Sequence, residues 1–117
     1  MIAFLMADDA GTVQLFSVSP LGGEPRQISH DSWSVASCFS WSPDGKQIAY
    51  IADGSVMTIE VASGHSTRLT PAIHDASAPR PEACVFSPDG MQIAYVRTMP
   101  DTGGSGRHNQ LFVVDSR

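Results

Sequence analysis

Two histidine–aspartate pairs are the residues of this sequence whose types best suit chemistry. His30 precedes Asp31 and His74 precedes Asp75, and each pair lies shortly ahead of a repeated Ser-Pro-Asp-Gly segment. Neutral imidazoles beside carboxylates can bind a metal ion or transfer protons. The simpler interpretation is that both pairs are ordinary loop residues, because aspartate often stabilises a turn through its own side chain. We therefore keep all four as candidate ligand-binding residues, and we assign no catalytic residue, metal ligand or cofactor site.

Three further charged side chains are candidates for the same kind of surface. Arg80 and Glu82 alternate with prolines and could contact an anionic or polar ligand, although a stiff connecting loop is the simpler interpretation. His108 ends the glycine-rich stretch 99–108. That stretch is interpreted as a flexible hairpin tip, because no helix pattern follows it as a phosphate-binding loop would require.

An internal repeat indicates which elements must position these residues. Ser42 begins the segment Ser-Pro-Asp-Gly-Lys-Gln-Ile-Ala-Tyr, and Ser87 begins a copy that differs only at its fifth residue. In the turn that begins this segment, proline fixes the φ angle of the first of the two central residues, and glycine adopts the left-handed conformation that closes a hairpin. The segment 2–5 aligns with 48–51 and 93–96, so three copies are present. The residues assigned to structural turns are Pro43, Asp44, Gly45, Pro88, Asp89 and Gly90.

Each copy predicts four short antiparallel strands, which we term a to d in chain order. No window keeps apolar residues at helical spacing without glycine, proline or β-branched interruption, so no helix is predicted. The predicted fold is all-β, with about two and a half four-stranded blades of a β-propeller: strands b, c and d, then a to d, then a to c. A meander sandwich is the alternative. The predicted ranges are 39–41 and 85–86 for strand a, 48–52 for b, 15–18, 56–59 and 111–114 for c, and 26–29 and 67–70 for d.

The repeat resembles a known family. Phe-Ser-Pro-Asp-Gly-x-x-Ile-Ala-Tyr, followed by a strand, a glycine turn and Thr-Arg-Leu-Thr, is similar to the TolB-type propeller repeat, also called WD40-like or PD40. Such repeats occur in bacterial proteins that include a periplasmic translocation accessory protein, serine-peptidase propellers and a pectin-fragment lyase. The resemblance therefore implies a fold but no single activity. It favours a scaffold or a protein- or ligand-binding module. The alternative is a segment of a propeller enzyme, either a metal-dependent polysaccharide-fragment lyase or a peptidase-associated propeller.

The predicted blades also indicate where partners would bind. One partial propeller domain, 1–117, divides into a partial blade at 1–31, a full blade at 32–75 and a partial blade at 76–117. Strand a is missing from the first copy and strand d from the third, which leaves exposed blade faces and an unpaired edge. The expected partners are the remaining blades of a parent propeller, or further copies of this chain. Merging the third copy with the first would put six strands in one blade, which argues against simple ring closure.

Net charge, the position of apolar residues and the absence of certain motifs exclude several classes of function. The net charge is −5 and no stretch gathers basic residues, which disfavours nucleic-acid binding. The apolar stretch 1–7 has no basic residue ahead of it and stops at two aspartates, so neither a signal peptide nor a membrane span is predicted. The motifs of a serine nucleophile elbow, a zinc peptidase and a nucleotide-binding loop are all absent.

Cysteines and repeated aromatic residues are assigned to packing. Two cysteines are too few for a disulfide framework, and both are expected to be buried free thiols, although a bond between adjacent blades stays open. Free thiols without a signal peptide favour the cytoplasm, whereas the resemblance to a periplasmic family favours the periplasm, so the compartment stays open, with the cytoplasm slightly favoured over the periplasm. The residues assigned to packing are Cys38, Cys84, Trp41, Phe86, Tyr50 and Tyr95.

Overall fold

The computed structural model describes residues 1–73, 81–104 and 106–117, and these residues form three antiparallel sheets. None of them belongs to a helix, so the described part of the chain has no helix that could span a membrane. The first sheet contains β1 (Ile2–Ala7), β2 (Val13–Val18) and β3 (Arg26–Gln27). The middle sheet contains β4 (Val35–Trp41), β5 (Gln47–Ala52), β6 (Ser55–Glu60) and β7 (Ser66–Arg68). The third sheet contains β8 (Glu82–Phe86), β9 (Gln92–Pro100) and β10 (Arg107–Asp115).

Each sheet is a meander in which strands adjacent in the chain are also neighbours in space. The strand orders are β1-β2-β3, β4-β5-β6-β7 and β10-β9-β8. Short connections produce this order, because they can join only antiparallel neighbours. The all-β prediction is confirmed, and so is the predicted strand content of b, c and d, then a to d, then a to c.

A hydrogen-bonded turn recurs where strand a meets strand b. The Ser42 hydroxyl donates to the Asp44 carboxylate at 2.6 Å, and the backbone N–H of Lys46 donates to the same oxygen at 3.0 Å. Ser87 and Asp89 repeat the first bond at 2.6 Å. The serine hydroxyl and the backbone N–H stabilise the ionised carboxylate, so they lower the pKa of both aspartates. Both carboxylates are therefore engaged within their own turns.

The middle sheet is buried on both faces, and this produces two hydrophobic cores. Side chains alternate between the two faces of a strand. Accordingly, Ile48 and Tyr50 of β5 pack toward the first sheet, whereas Ala49 and Ile51 pack toward the third. The first core contains Leu15, Ile28, Val35, Ile48, Tyr50, Ala52, Met57, Ile59 and Val61. The second core contains Ala49, Ile51, Val56, Cys84, Phe86, Ile93 and Tyr95. Burial of a sheet between two others is the packing of successive propeller blades.

Strand a is longer than predicted because an irregularity interrupts its alternation. The pairing register of β4 shifts between Ala36 and Phe39, and that of β8 shifts between Glu82 and Val85. A bulge of this kind breaks the alternation of inward and outward residues. Only the last residues of each strand therefore show a strand pattern in the sequence.

Cys38 lies in the bulge of β4, and for this cysteine the prediction of a buried thiol is wrong. Cys38 is exposed and has a φ of 72°, a left-handed backbone conformation that takes its side chain out of the strand's alternation. Cys84 is buried, and both thiols are free. The Cys84 Sγ lies 4.0 Å from the backbone carbonyl oxygen of Cys38. Burial raises the pKa of the Cys84 thiol to about 12.

Candidate ligand-binding face

The b–c and d–a connections lie at one end of the sheets, which we call the loop face. The backbone N–H of Val13, after the first b–c turn, donates to the Ser34 hydroxyl of the first d–a loop at 3.0 Å. In the middle sheet, the N–H of Ile73 in the d–a loop donates to the carbonyl of Gly54 in the b–c turn at 3.1 Å. These contacts confirm that the two kinds of loop share one face, as the alternation of strand direction predicts.

The first histidine–aspartate pair lies on this face, where its two members differ in their contacts. The Asp31 carboxylate accepts a hydrogen bond from the Tyr50 hydroxyl at 3.4 Å, and its backbone carbonyl accepts one from the Gln14 side-chain amide at 2.7 Å. Burial and the Asp31 charge together raise the pKa of Tyr50. His30, next to Asp31, is exposed. Asp31 therefore joins the first d–a loop to the core, while the imidazole of His30 is accessible from solvent.

An arginine beside this pair forms a cluster that the sequence did not predict. The Arg68 guanidinium makes an ion pair with the Asp53 carboxylate at 2.7 Å and donates to the Ser55 hydroxyl. Its central carbon also lies 5.7 Å from the centre of the Trp33 ring, within the range of a cation–π interaction. We call Trp33, Asp53 and Arg68 the arginine cluster. One third of the Arg68 side chain, 34%, is exposed, so part of the guanidinium can reach a ligand.

The arginine cluster and the histidine–aspartate pair meet around the Tyr50 hydroxyl. Asp31 accepts the hydrogen bond of that hydroxyl. The positive charge of Arg68 lowers the pKa of Tyr50, but burial raises it by more, so the net shift is upward. Within the described residues, the Trp33 indole Nε1 has no hydrogen-bond acceptor. The loop face thus combines a partly exposed cation, an aromatic ring and an exposed imidazole between the first and middle sheets.

The other predicted site residues lie elsewhere or outside the described residues. Glu82 is exposed at the start of β8, opposite Val96. The His108 Nδ1 lies 2.6 Å from an Asp101 carboxylate oxygen, and both side chains are about half exposed. β9 and β10 pair as far as Pro100 and Arg107, so strand pairing extends into the stretch predicted as a hairpin tip. His74, Asp75 and Arg80 lie outside the described residues.

The described residues form no cluster of three or more histidine, cysteine, aspartate or glutamate side chains that could hold a metal ion. His30 and Asp31 come from the same loop, and the second candidate pair, His74 and Asp75, is outside the described ranges. A contribution of that second pair to the loop face therefore stays a prediction.

The opposite end of the sheets, which we call the turn face, has a cavity of about 790 Å³. Arg26, Asp44 and Lys46 are among the residues that line it. The Arg26 guanidinium already donates to the carbonyl oxygens of Val61 and Ala62 at 3.1 and 3.3 Å. Because Asp44 is likewise held within its own turn, two of the charged groups around this cavity serve the fold.

Comparison with curated proteins identifies two long relatives. The chain is 43% identical over 95 residues to the uncharacterized protein YidR of Escherichia coli strain K12, covering 81% of this chain and 22% of that protein. It is 29% identical over 106 residues to dipeptidyl-peptidase 5 of Porphyromonas gingivalis, covering 80% of this chain and 15% of that protein. The chain therefore spans less than a quarter of the length of either relative. No family model matches it.

Solved structures share the fold at low sequence identity. A protein assigned as TolB from Agrobacterium tumefaciens superimposes with a TM-score of 0.63 and 22% identity, over 91% of this chain and 40% of that one. The tricorn protease superimposes with a TM-score of 0.65 and 18% identity, over 97% of this chain and 11% of that one. Likeness at these identities concerns the fold alone. Together with the repeat and the two-sided burial of the middle sheet, it shows that the chain folds as blades of a β-propeller.

Proposed function

We propose that this chain is a scaffold and binding module whose loop face binds a peptide segment of a partner protein. The observation that carries the proposal is the arginine cluster, in which Arg68 is fixed by Asp53 and Trp33 but remains partly exposed. A guanidinium held in this way loses little conformational freedom on binding and can donate to carboxylates or backbone carbonyls. Arginine and tryptophan are also enriched among the residues that dominate binding energy at protein interfaces.

The position of the cluster on the scaffold supports the same proposal. Its residues come from a b–c turn, a d–a loop and the end of β7, so three connected elements fix their geometry. Binding residues commonly lie on loops that a rigid scaffold positions. His30 extends the surface with a side chain that a ligand can reach.

The test is a selection of binders from a random peptide library displayed on phage, followed by affinity measurements on variants. Arg68→Ala should weaken the selected peptides at least about tenfold, because Arg68 is the exposed donor of the cluster. Lys46→Ala is the matched control, since it removes an exposed cation from the turn face. The proposal is wrong if the selected peptides lose affinity with Lys46→Ala and keep it with Arg68→Ala.

An enzymatic role for the propeller is the second candidate, and the likeness to a dipeptidyl-peptidase favours it over a lyase. In this role the chain would belong to a propeller associated with a peptidase. Because the sequence has no serine nucleophile elbow, this role predicts that the chain binds a dipeptide p-nitroanilide without cleaving it. Binding of this dipeptide, measured by titration calorimetry, would favour the peptidase-associated role. A divalent-metal titration followed by melting temperature tests the lyase alternative, because a cation at a hundred times its Kd would add about 2.7 kcal/mol to stability. A shift that His30→Ala abolishes would support a metal site.

A further inference from the structure

The outward face of the third sheet is apolar, and no described residue covers it. Along β10, Phe112 and Val114 pack against the second core, whereas Leu111 and Val113 point the other way and are 66% and 56% exposed. Val85 of β8, on the same outward face, is also exposed. Monomeric proteins seldom expose a contiguous apolar patch on a sheet unless something binds it.

The outward face of the first sheet is apolar as well. Ala3 and Leu5 of β1 pack against the first core, so the alternate residues Ile2, Phe4 and Met6 face outward. Ile2 and Met6 are exposed, and Phe4 stacks on Phe16 of the neighbouring strand with ring centres 5.9 Å apart. Within the part of the chain that the structure describes, the three-sheet stack therefore has one exposed apolar face at each end.

The contact between the middle and third sheets shows which side chains pack together when two such faces meet. In the third sheet, Tyr95 and Phe112 are directly opposite each other, and their rings stack at 5.6 Å. In the middle sheet, Ile51 and Val56 are directly opposite each other. Tyr95, Ile51 and Val56 belong to the second core and Phe112 packs against it, so an aromatic pair of one sheet packs with an aliphatic pair of the next.

The two end faces carry the repeat equivalents of these pairs. Phe4 and Phe16 are directly opposite each other on the outward face of the first sheet, as Tyr95 and Phe112 are on the inward face of the third. Val96 and Leu111 are directly opposite each other on the outward face of the third sheet, as Ile51 and Val56 are in the middle sheet. The first sheet thus offers the aromatic half of the internal contact, and the third sheet offers the aliphatic half.

Charges at the edges of the two faces match the same arrangement. Asp9 is exposed in the b–c turn of the first sheet, and Arg107 is exposed where the b–c loop of the third sheet enters β10. Arg107 shares the outward face of β10 with Leu111, because the two are an even number of residues apart. If two copies met with their loop faces on the same side, opposite charges would lie at the same end of the contact.

From these observations we propose that the first sheet of a second copy of this chain docks on the third sheet, with Phe4 and Phe16 of one copy packed on Val96 and Leu111 of the other. The contact is head to tail, so it leaves both copies with one free end face and can propagate or close a ring. It joins two whole sheets face to face and does not merge them into one blade. The argument that ring closure would put six strands in one blade therefore does not apply. The proposal depends on the propeller packing and not on ligand binding at the loop face.

The test uses two variants, each of which blocks one face at an exposed position. Leu111→Asp places a carboxylate on the third sheet, and Met6→Asp places one on the first. Leu21→Asp is the matched control, because Leu21 is an exposed leucine of a turn outside both faces. Molar masses are measured by light scattering after size-exclusion chromatography, and near-ultraviolet circular dichroism checks that each variant keeps its tertiary packing.

We expect the wild-type chain and Leu21→Asp to give masses above 12.5 kDa that rise with concentration. Each blocked variant should weaken association about a hundredfold, because the contact would bury an unpaired carboxylate. An equimolar mixture of the two should form a dimer of twice 12.5 kDa, since each still has the face that the other lacks. A wild-type chain that stays at 12.5 kDa would overturn the proposal, as would variants that associate as strongly alone as in the mixture. Peptide binding at the loop face, measured on Leu111→Asp, shows independently whether the proposed function holds.

Discussion

At the scale of single residues, the bulge of strand a gives the two cysteines different environments. Cys38 has a positive φ and an exposed side chain, whereas Cys84 is buried in the second core. The position one repeat after Cys38 is Ala83, which also has a positive φ, of 48°. The two cysteines are therefore not structural equivalents, and their thiols should differ in reactivity.

We expect a thiol reagent such as 5,5′-dithiobis(2-nitrobenzoate) to modify Cys38 in the folded protein at least about a hundredfold faster than Cys84. With a pKa of about 12, only about one part in ten thousand of the Cys84 thiol is ionised at pH 8, and burial also limits access. Absorbance at 412 nm should show one fast equivalent, and the second should follow on unfolding. Cys38→Ser should remove the fast phase, and equal rates at both thiols would contradict the assigned burial.

The aspartates show which parts of the site could be predicted from the sequence. The role of Asp44 is readable because its partner Ser42 lies two residues away in the same turn. Asp53 bonds Arg68, which lies 15 residues along the chain, and Asp31 bonds Tyr50, which lies 19 residues along. Those pairings depend on how strands and loops meet in space, so the arginine cluster has no local signature.

At the scale of elements, the hairpin between β5 and β6 is the connection that most constrains the loop face. Ala52 pairs with Ser55, so Asp53 and Gly54 form a two-residue turn, and both have positive φ angles, of 51° and 69°. Asp-Gly is a typical sequence for such turns, so this signal could have located the b–c turn from the sequence. A Cβ atom on Gly54 would lie 2.1 Å from the backbone carbonyl oxygen of Ile73. The absence of a side chain at Gly54 lets the d–a loop cross the turn.

We expect Gly54→Ala to destabilise the chain more than Gly45→Ala, as measured by urea denaturation. Both glycines have left-handed backbones, at φ values of 69° and 73°, so each substitution costs roughly 1–2 kcal/mol in conformation. A Cβ on Gly45 would meet no atom within 4 Å, so Gly45→Ala measures that conformational cost alone. Gly54→Ala must also displace the loop at Ile73. Equal losses for the two variants would mean that the loop does not cross the turn so closely.

The strands show the same division between local and non-local information. Strands b and c were predicted because their residues alternate or run apolar between clear turns, and β5 and β6 lie where the repeat placed them. The early part of strand a was missed, since the register shift between Ala36 and Phe39 hides its alternation. β9 and β10 extend beyond the predicted strands because polar residues such as Thr98 and Asn109 can pair across a hairpin, where their side chains hydrogen-bond at 2.9 Å.

At the scale of the whole molecule, the three sheets differ in how many neighbours support them. The middle sheet contributes to both cores, whereas the first and third sheets each contribute to one. In a stack where each unit contacts only its neighbours, stability is the sum of each unit's own stability and its contacts. The middle sheet should therefore be the most stable part of the chain, and the end sheets should open more easily.

Amide hydrogen exchange measures this difference strand by strand. We expect the amides of β5 and β6 to exchange at least about tenfold more slowly than those of β10, because opening the middle sheet exposes two cores and opening the third exposes one. The experiment is best done on Leu111→Asp at low concentration, so that a second copy does not cover the third sheet. In the wild-type chain, protection of β1 and β10 should then rise with concentration, while that of β5 and β6 should change least. Equal exchange in all three sheets at every concentration would show instead that they open only together, and the stack would then be one cooperative unit.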